Sequence, residues 1–102
     1  MKVLYTATAT RQIESQIAYL VSQHAEGAAR RARVRITSFI TDFLIRHPRA
    51  GTPIPEKGVY EAWIPRTKYV LLYRIEGGDV LRVLALYHTS QDRSGFDPAV
   101  TD

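Results

Sequence analysis

Residues 68–88 read Lys68-Tyr-Val-Leu-Leu-Tyr-Arg-Ile-Glu76, then Gly77-Gly78, then Asp79-Val-Leu-Arg-Val-Leu-Ala-Leu-Tyr-His88. Two runs rich in β-branched, aromatic and aliphatic residues flank a glycine pair. Both glycines accept positive φ without a Cβ clash, so the stretch predicts a β-hairpin with a two-residue loop. Such a loop sets Glu76 opposite Asp79, Ile75 opposite Val80, Tyr73 opposite Arg82 and Leu71 opposite Leu84. Side chains alternate along a strand. One face then carries Tyr69, Leu71, Tyr73, Ile75, Val80, Leu84 and Leu86. The other carries Val70, Leu72, Leu81, Val83 and Ala85, with Arg74 among them. Both faces are apolar at their centres, whereas a half-solvated hairpin alternates apolar and polar residues. Each face therefore needs a cover.

The chain has 102 residues, which suits one domain with a modest core. Its apolar fraction of 45% and charged fraction of 24% are those of an ordinary globular chain. It contains no cysteine, which excludes a disulfide framework, a zinc–thiolate site and a thiol nucleophile. No apolar run is long enough to span a bilayer. The opening Met1-Lys-Val-Leu-Tyr5 is too short and too soon polar for a secretory signal, so the expected location is cytoplasmic. The net charge is +4, but residues 30–49 hold six arginines and one acid, Asp42, or +5, which leaves −1 for the remainder. This local excess suits an anionic partner, either nucleic acid or an acidic protein segment. The same arginines also suit a solvated helix face.

Outside the hairpin, Lys2–Tyr5 reads as a short strand, and Thr8 or Thr10 is placed to cap a following helix. Ile13, Ile17, Leu20 and Val21 form one helical stripe that runs to about His24. Gly27 breaks the pattern, and Glu26 favours the start of a second helix. There Ala32, Ile36, Phe39, Ile40, Phe43 and Leu44 continue the apolar spacing until Pro48 stops the helix. Two helices joined by so short a link lie antiparallel, with their stripes turned to one side. Residues 48–58 read as an irregular Pro- and Gly-rich connection, and Val59–Ile64 as a strand ended by Pro65. The expected fold is α+β, in the order β-α-α-β-β-β. A helical hairpin covers one face of a small, mostly antiparallel sheet. The domain is expected to span residues 1–93, followed by a loosely ordered tail, 94–102.

The second sheet face has no evident cover in this reading. The expectation is an apolar groove that a partner completes. The alternative is that the tail folds back over it, with Phe96 as the plug.

Little in the sequence suggests catalysis. His24, His47 and His88 lie on no metal-ligand spacing, the acids are unpaired, and no phosphate-binding glycine motif or nucleophile elbow is present. No metal or cofactor is expected. The one constellation to weigh is Tyr87, His88, Gln91, Asp92 and Arg93 at the end of the last strand, with Lys68 across the hairpin and Arg74 further up it. A metal-free ribonuclease needs a base for the ribose 2′-OH, an acid for the leaving oxygen and cations for the phosphate. A strand end with a local Asp92–Arg93 pair accounts for the same residues without catalysis. Trp63, with Tyr60, Tyr69 and Tyr73, reads as sheet packing.

Several segments, in this order, resemble the RelE/ParE superfamily of type II toxin–antitoxin toxins, and within it the ParE branch. They are Ile13-Glu-Ser-Gln-Ile-Ala-Tyr-Leu20, Ala28-Ala-Arg-Arg-Ala-Arg33 and His47-Pro-Arg-Ala-Gly-Thr-Pro-Ile-Pro55. The strand segments are Gly58-Val-Tyr-Glu-Ala-Trp-Ile-Pro65, Tyr69-Val-Leu-Leu-Tyr-Arg-Ile-Glu-Gly77 and Val80-Leu-Arg-Val-Leu-Ala-Leu-Tyr-His88. The likeness covers residues 2–93. RelE-like relatives cleave mRNA in the ribosome and rely on an arginine directly after the tyrosine that Tyr69 resembles; here Val70 follows. They also place basic residues close after the last strand, where this chain has only His88 until Arg93. Many ParE members carry an arginine in the strand that holds Tyr60, and this chain does not.

The resemblance implies a non-enzymatic poison of DNA gyrase, neutralised by a small acidic antitoxin, a plasmid-stabilisation-like pair. It implies no membrane association and no sequence-specific nucleic-acid binding. On this reading Val70, Leu72, Arg74, Arg30, Arg31 and Arg35 meet the antitoxin, while His88, Gln91 and Arg93 meet the target. The alternative is a ribosome-dependent mRNA endoribonuclease. His88 and Tyr87 would then be its acid and base, with Lys68, Arg74 and Arg93 as phosphate binders.

Overall fold

A computed structural model of the chain describes residues 1–100. Strand β1 (Lys2–Tyr5) leads into helix α1 (Ala7–Ser22), and the turn between them depends on Thr6 rather than on Thr8 or Thr10. Thr6 Oγ1 accepts the Ala9 N–H at 3.0 Å and donates to the Leu84 carbonyl at 2.9 Å. One hydroxyl thus caps the helix and ties it to the last strand. Helix α1 ends two residues earlier than expected. His24 takes φ of +57°, and the amides of His24 and Ala25 donate back to Val21 and Leu20. That is the paired closure of a left-handed C-cap, so the break falls at His24. Gly27 lies inside the first turn of α2 (Glu26–Ser38).

Helix α2 runs into a π-helical segment, Phe39–Leu44. Ala32, Ile36, Ile40 and Leu44 are four apart and all buried. Ideal α-geometry would rotate such a series off the core, and the wider π-turn holds Ile40 and Leu44 in line. The same widening turns Phe43 outward, to 43% exposure. Val21 is also exposed, so the α1 stripe narrows to Ile13, Ile17 and Leu20.

The chain then forms β2 (Thr52–Ile54), β3 (Val59–Trp63), β4 (Tyr69–Glu76) and β5 (Val80–His88). The sheet order is β1-β5-β4-β3-β2, with β1 parallel to β5 and the other pairs antiparallel. The α+β architecture agrees with the sequence reading and adds one strand, β2. It is a short edge strand that tolerates Pro53, which lacks a backbone donor.

The hairpin register differs from the expected one. Glu76 pairs with Val80, so the loop has three residues, Gly77, Gly78 and Asp79. Tyr73 lies opposite Val83 and Leu72 opposite Ala85, which leaves Leu84 as a bulge. The longer loop and the bulge change which faces meet. Leu81 and Val83 join Tyr69, Leu71, Tyr73 and Leu86 in the core beneath the helices. The bulged carbonyl of Leu84 is the one that receives the Thr6 hydroxyl. Beyond the end of β1, Gln12 of α1 accepts the Leu86 N–H at 2.9 Å and satisfies part of the free edge of β5.

On the second face, Val70, Leu72 and Ala85 are at most 2% exposed, so the expected open groove is not there. Residues after His88 return across this side of the sheet. Phe96 meets the ring of Tyr87 edge-on at 6.5 Å between centroids. Lys57 Nζ donates to the carbonyls of Ser94 (3.2 Å) and Phe96 (2.8 Å). Arg93 reaches Glu61 of β3. The chain's own tail occupies the place that the sequence reading left for a partner. Residues 101–102 of that tail lie outside the described residues.

Candidate functional site

Tyr87 and His88 are neighbours in β5, so their side chains leave opposite faces of the sheet. Tyr87 turns to Phe96. His88 turns to the helix side, where its ring meets Tyr69 edge-on at 6.0 Å and lines a depression with Ser15, Gln16, Tyr19 and Ser90. The Ser90 backbone N–H donates to His88 Nδ1 at 3.1 Å, and the Ser90 hydroxyl lies 2.8 Å from the same nitrogen. An N–H can only donate, so Nδ1 accepts, and neutral His88 keeps its proton on Nε2. Gln91 is engaged locally: its Oε1 accepts the His88 N–H at 2.7 Å. The turn at residues 89–91 thus fixes the ring by hydrogen bonds to its own backbone.

The other members of the candidate catalytic set are elsewhere. Arg93 sits against Glu61, with Nε 3.2 Å from Oε2. Arg74 lies five residues along β4 from Tyr69, the partner of His88, which is roughly 16 Å of strand. Arg74 and Arg82 both donate to Glu76 Oε2, at 2.6 and 2.9 Å. Arg74 chiefly, and then Arg82, hold the Glu76 carboxyl below its ordinary pKa against the opposing effect of burial. Lys68 is exposed beyond the start of β4. The set therefore does not converge on one point. Among the described residues, no group of three or more His, Cys, Asp or Glu is placed to hold a metal ion.

The residues expected to meet an antitoxin divide in two. Val70 and Leu72 are buried, on the face where Tyr87 meets Phe96 and Glu61 meets Arg93. Arg30 and Arg31 are exposed on α2, and Arg35 donates to the Arg66 carbonyl at 3.0 Å. Arg33, from the same run, grips Glu14 of α1 through both guanidinium nitrogens at 3.0 and 3.1 Å. It is a clamp within the helical hairpin. Asp92 bonds to the Ser94 N–H, which lowers its pKa, rather than pairing with Arg93 through its side chain.

Two features escaped the sequence reading. One is the Glu76 carboxylate held between two arginines at the hairpin end. Its only sequence signal is an acid two residues after Arg74, and its second partner depends on the register. The other is an exposed aromatic cluster. Trp63 is 67% exposed, Phe43 stacks on Phe39 at 5.3 Å, and Phe43 also touches His47. The lone tryptophan, two residues before Pro65, is the one signal of this cluster in the sequence.

Residues 3–93 match the family described as "ParE toxin of type II toxin-antitoxin system, parDE". The chain belongs to this ParE toxin family. Its fold is shared with a chain of the chromosomal ParDE toxin–antitoxin system from Pseudomonas aeruginosa. The TM-score is 0.73 and the identity 18%, over 86% of this chain and 95% of that one. It also resembles a chain of the RelBE2 toxin–antitoxin complex from Mycobacterium tuberculosis. There the TM-score is 0.60 and the identity 25%, over 85% of this chain and 95% of that one. Among curated proteins, none matches the chain in sequence. No helix among the described residues is long and apolar enough to cross a membrane.

Proposed function

We propose that this ParE-family toxin acts in the cytoplasm by binding DNA gyrase, performs no chemistry of its own, and is neutralised by a cognate antitoxin. The observation that carries the reading is the dispersal of the candidate ribonuclease set. Tyr87 and His88 leave opposite faces of the sheet, and Arg93 and Arg74 are each engaged by a glutamate. General acid–base cleavage needs its proton donor, acceptor and phosphate cations around one scissile bond. With Nδ1 of His88 accepting from Ser90, a neutral ring offers only an Nε2 proton. An antitoxin is supported by the toxin–antitoxin complexes that share the fold. Its acids would meet the exposed Arg30 and Arg31 and the half-buried Arg35, since Val70 and Leu72 are covered.

Purified protein added to a supercoiling reaction is expected to inhibit gyrase at micromolar levels and to leave mRNA intact in a cell-free translation extract. Untouched gyrase overturns the reading. Cleaved mRNA with the wild-type protein that vanishes with His88→Ala promotes the ribosome-dependent endoribonuclease in its place.

A further inference from the structure

The turn between β3 and β4 holds one residue in a costly conformation. Arg66 takes φ of +62°, in the left-handed region where glycine escapes the Cβ clash that other side chains meet. Its neighbours fix it there. The Thr67 N–H and hydroxyl both donate to the Ile64 carbonyl, at 3.2 and 2.7 Å, and the hydroxyl accepts the Tyr69 N–H at 3.1 Å. The Ile64 N–H donates to the Tyr69 carbonyl at 3.1 Å, and the Lys68 carbonyl accepts the Thr89 N–H at 2.8 Å. From α2, Arg35 Nη1 donates to the Arg66 carbonyl at 3.0 Å. Glycine would serve the backbone at position 66 at lower cost, so the fold alone does not call for an arginine there. The turn is a rigid mount for two exposed cations, Arg66 and Lys68.

These cations keep their charge. Elsewhere glutamates neutralise the arginines: Glu14 pairs with Arg33, Glu76 with Arg74 and Arg82, and Glu61 with Arg93. Among the described residues, no carboxylate forms an ion pair with Arg31, Arg35, Arg66 or Lys68. A neutral carbonyl places the Arg35 guanidinium without cancelling it. Arg31 lies four residues earlier on the same face of α2, with its Cβ about 5–6 Å away. One turn further back, Gly27 leaves room for the Arg31 guanidinium, since a Cβ there would stand 3.3 Å from Nη1. A row of four cations thus runs from α2 to the turn.

The form of this row selects its partner. An acidic peptide needs pockets for its side chains or a strand edge for its backbone. The turn offers no free edge: the amides of Ile64, Thr67 and Tyr69 and the carbonyls of Ile64, Arg66, Lys68 and Tyr69 are bonded within the protein. Arginine and lysine side chains only donate, which suits phosphate oxygens. A nucleic-acid duplex presents closely spaced phosphates on a stiff outer surface, and fixed cations bind it through the release of counterions.

We propose that Arg66 and Lys68, with Arg35 and Arg31, form a contact for the phosphate backbone of duplex DNA that is independent of base sequence. The contact goes beyond the gyrase reading and is tested without that enzyme. A fluorescently labelled duplex of mixed sequence is titrated with the full chain over a series of salt concentrations, and anisotropy is measured. Saturable micromolar binding is expected at low salt, with a slope of about −3 for log affinity against log salt. Arg66→Gly keeps the left-handed backbone and removes only the side chain. Its thermal midpoint should match or exceed that of the wild type while affinity falls about threefold. Adding Lys68→Gln should bring the loss to about tenfold or more and flatten the slope by about 2. Arg46→Gln with Arg49→Gln removes the same charge outside the row and should change affinity less than about twofold. Absence of saturable binding at low salt overturns the proposal. So does an equal loss in the Arg46 and Arg49 control, which would spread the affinity over the whole basic surface. Polyglutamate that competes as well as unlabelled duplex makes the row an acidic-protein contact, and tighter binding of a single strand makes it a single-strand surface. Either result overturns the duplex assignment.

Discussion

Arg93 lays its guanidinium against Glu61, with Nε 3.2 Å from Oε2, and thereby fastens the tail to the third strand across a separation of 32 residues. Both side chains are about three-quarters buried, so the pair is better shielded than a surface contact, and its loss leaves a partly desolvated carboxylate. Arg93→Ala is expected to lower stability by about 1 kcal/mol, within the range of modest ion pairs. Its larger effect is local. Amide exchange at Val70–Leu72 should accelerate, and a dye that reports apolar surface should bind. Unchanged exchange in both Arg93→Ala and Phe96→Ala would show that the tail does not seal that face.

The hydroxyl of Tyr73 joins the core to the connection after the helices. It donates to the Pro48 carbonyl at 2.8 Å and accepts the Gly51 N–H at 3.1 Å. Tyr73→Phe leaves both groups without their partner and is expected to cost roughly 1–3 kcal/mol in urea denaturation. Gly51 permits this approach, because a Cβ there would stand 2.8 Å from the hydroxyl and 3.0 Å from the Glu61 carbonyl. Gly51→Ala should cost about the same. The two effects should not add, since both remove one contact.

Thr6→Ala removes the cap of α1 and the bond to the bulged Leu84 carbonyl together. A typical cap loss is about 1 kcal/mol, and the second bond should raise the total to roughly 2 kcal/mol. Thr6→Ser keeps both hydrogen bonds and should fall well below that value. Equal losses for the two variants would mean that the methyl group, not the hydroxyl, matters.

Arg74 and Arg82 depress the pKa of Glu76 from its ordinary value near 4.5. A depressed carboxylate adds stability that is full above the unfolded pKa and is lost as pH falls through the lower folded value. Thermal midpoints should therefore drop on acidification from about pH 6 to about pH 3. Glu76→Gln should start less stable and lose less over the same interval. A variant that runs parallel to the wild type would assign the acid sensitivity to other carboxylates.

The order of elements was legible because strands and helices announce themselves by period. Val80–His88 and the helical stripe at Ile36 and Ile40 carry strong signals. What was lost lies where one residue interrupts a period. The three-residue loop sets Leu81 and Val83 opposite Ile75 and Tyr73, on the core face, and the Leu84 bulge then returns Leu86 to that face; an alternation rule has no means of marking either inserted residue. The π-turn at Phe39–Leu44 likewise sends Phe43 outward. Thr6 was passed over because its value comes from Leu84, 78 residues away. The tail carried little periodicity, so Phe96 and Arg93 could be placed only by the partners they find at Lys57, on β3 and on β5. For the candidate site, Tyr87 and His88 are adjacent at the end of β5, and strand alternation alone divides them between the two faces.

The parallel pairing of β1 with β5 joins residues 2–5 to residues 80–83. During synthesis residues 2–5 are made well before residues 80–83, their hydrogen-bonding mates. The sheet cannot close until Val83 has left the ribosome, and closing so long a loop is slow. A nascent or prematurely terminated product ending before Val80 lacks that mate, the Thr6 anchor and the tail. We expect such fragments to be inert and readily degraded, so that harmful activity arises only from finished molecules.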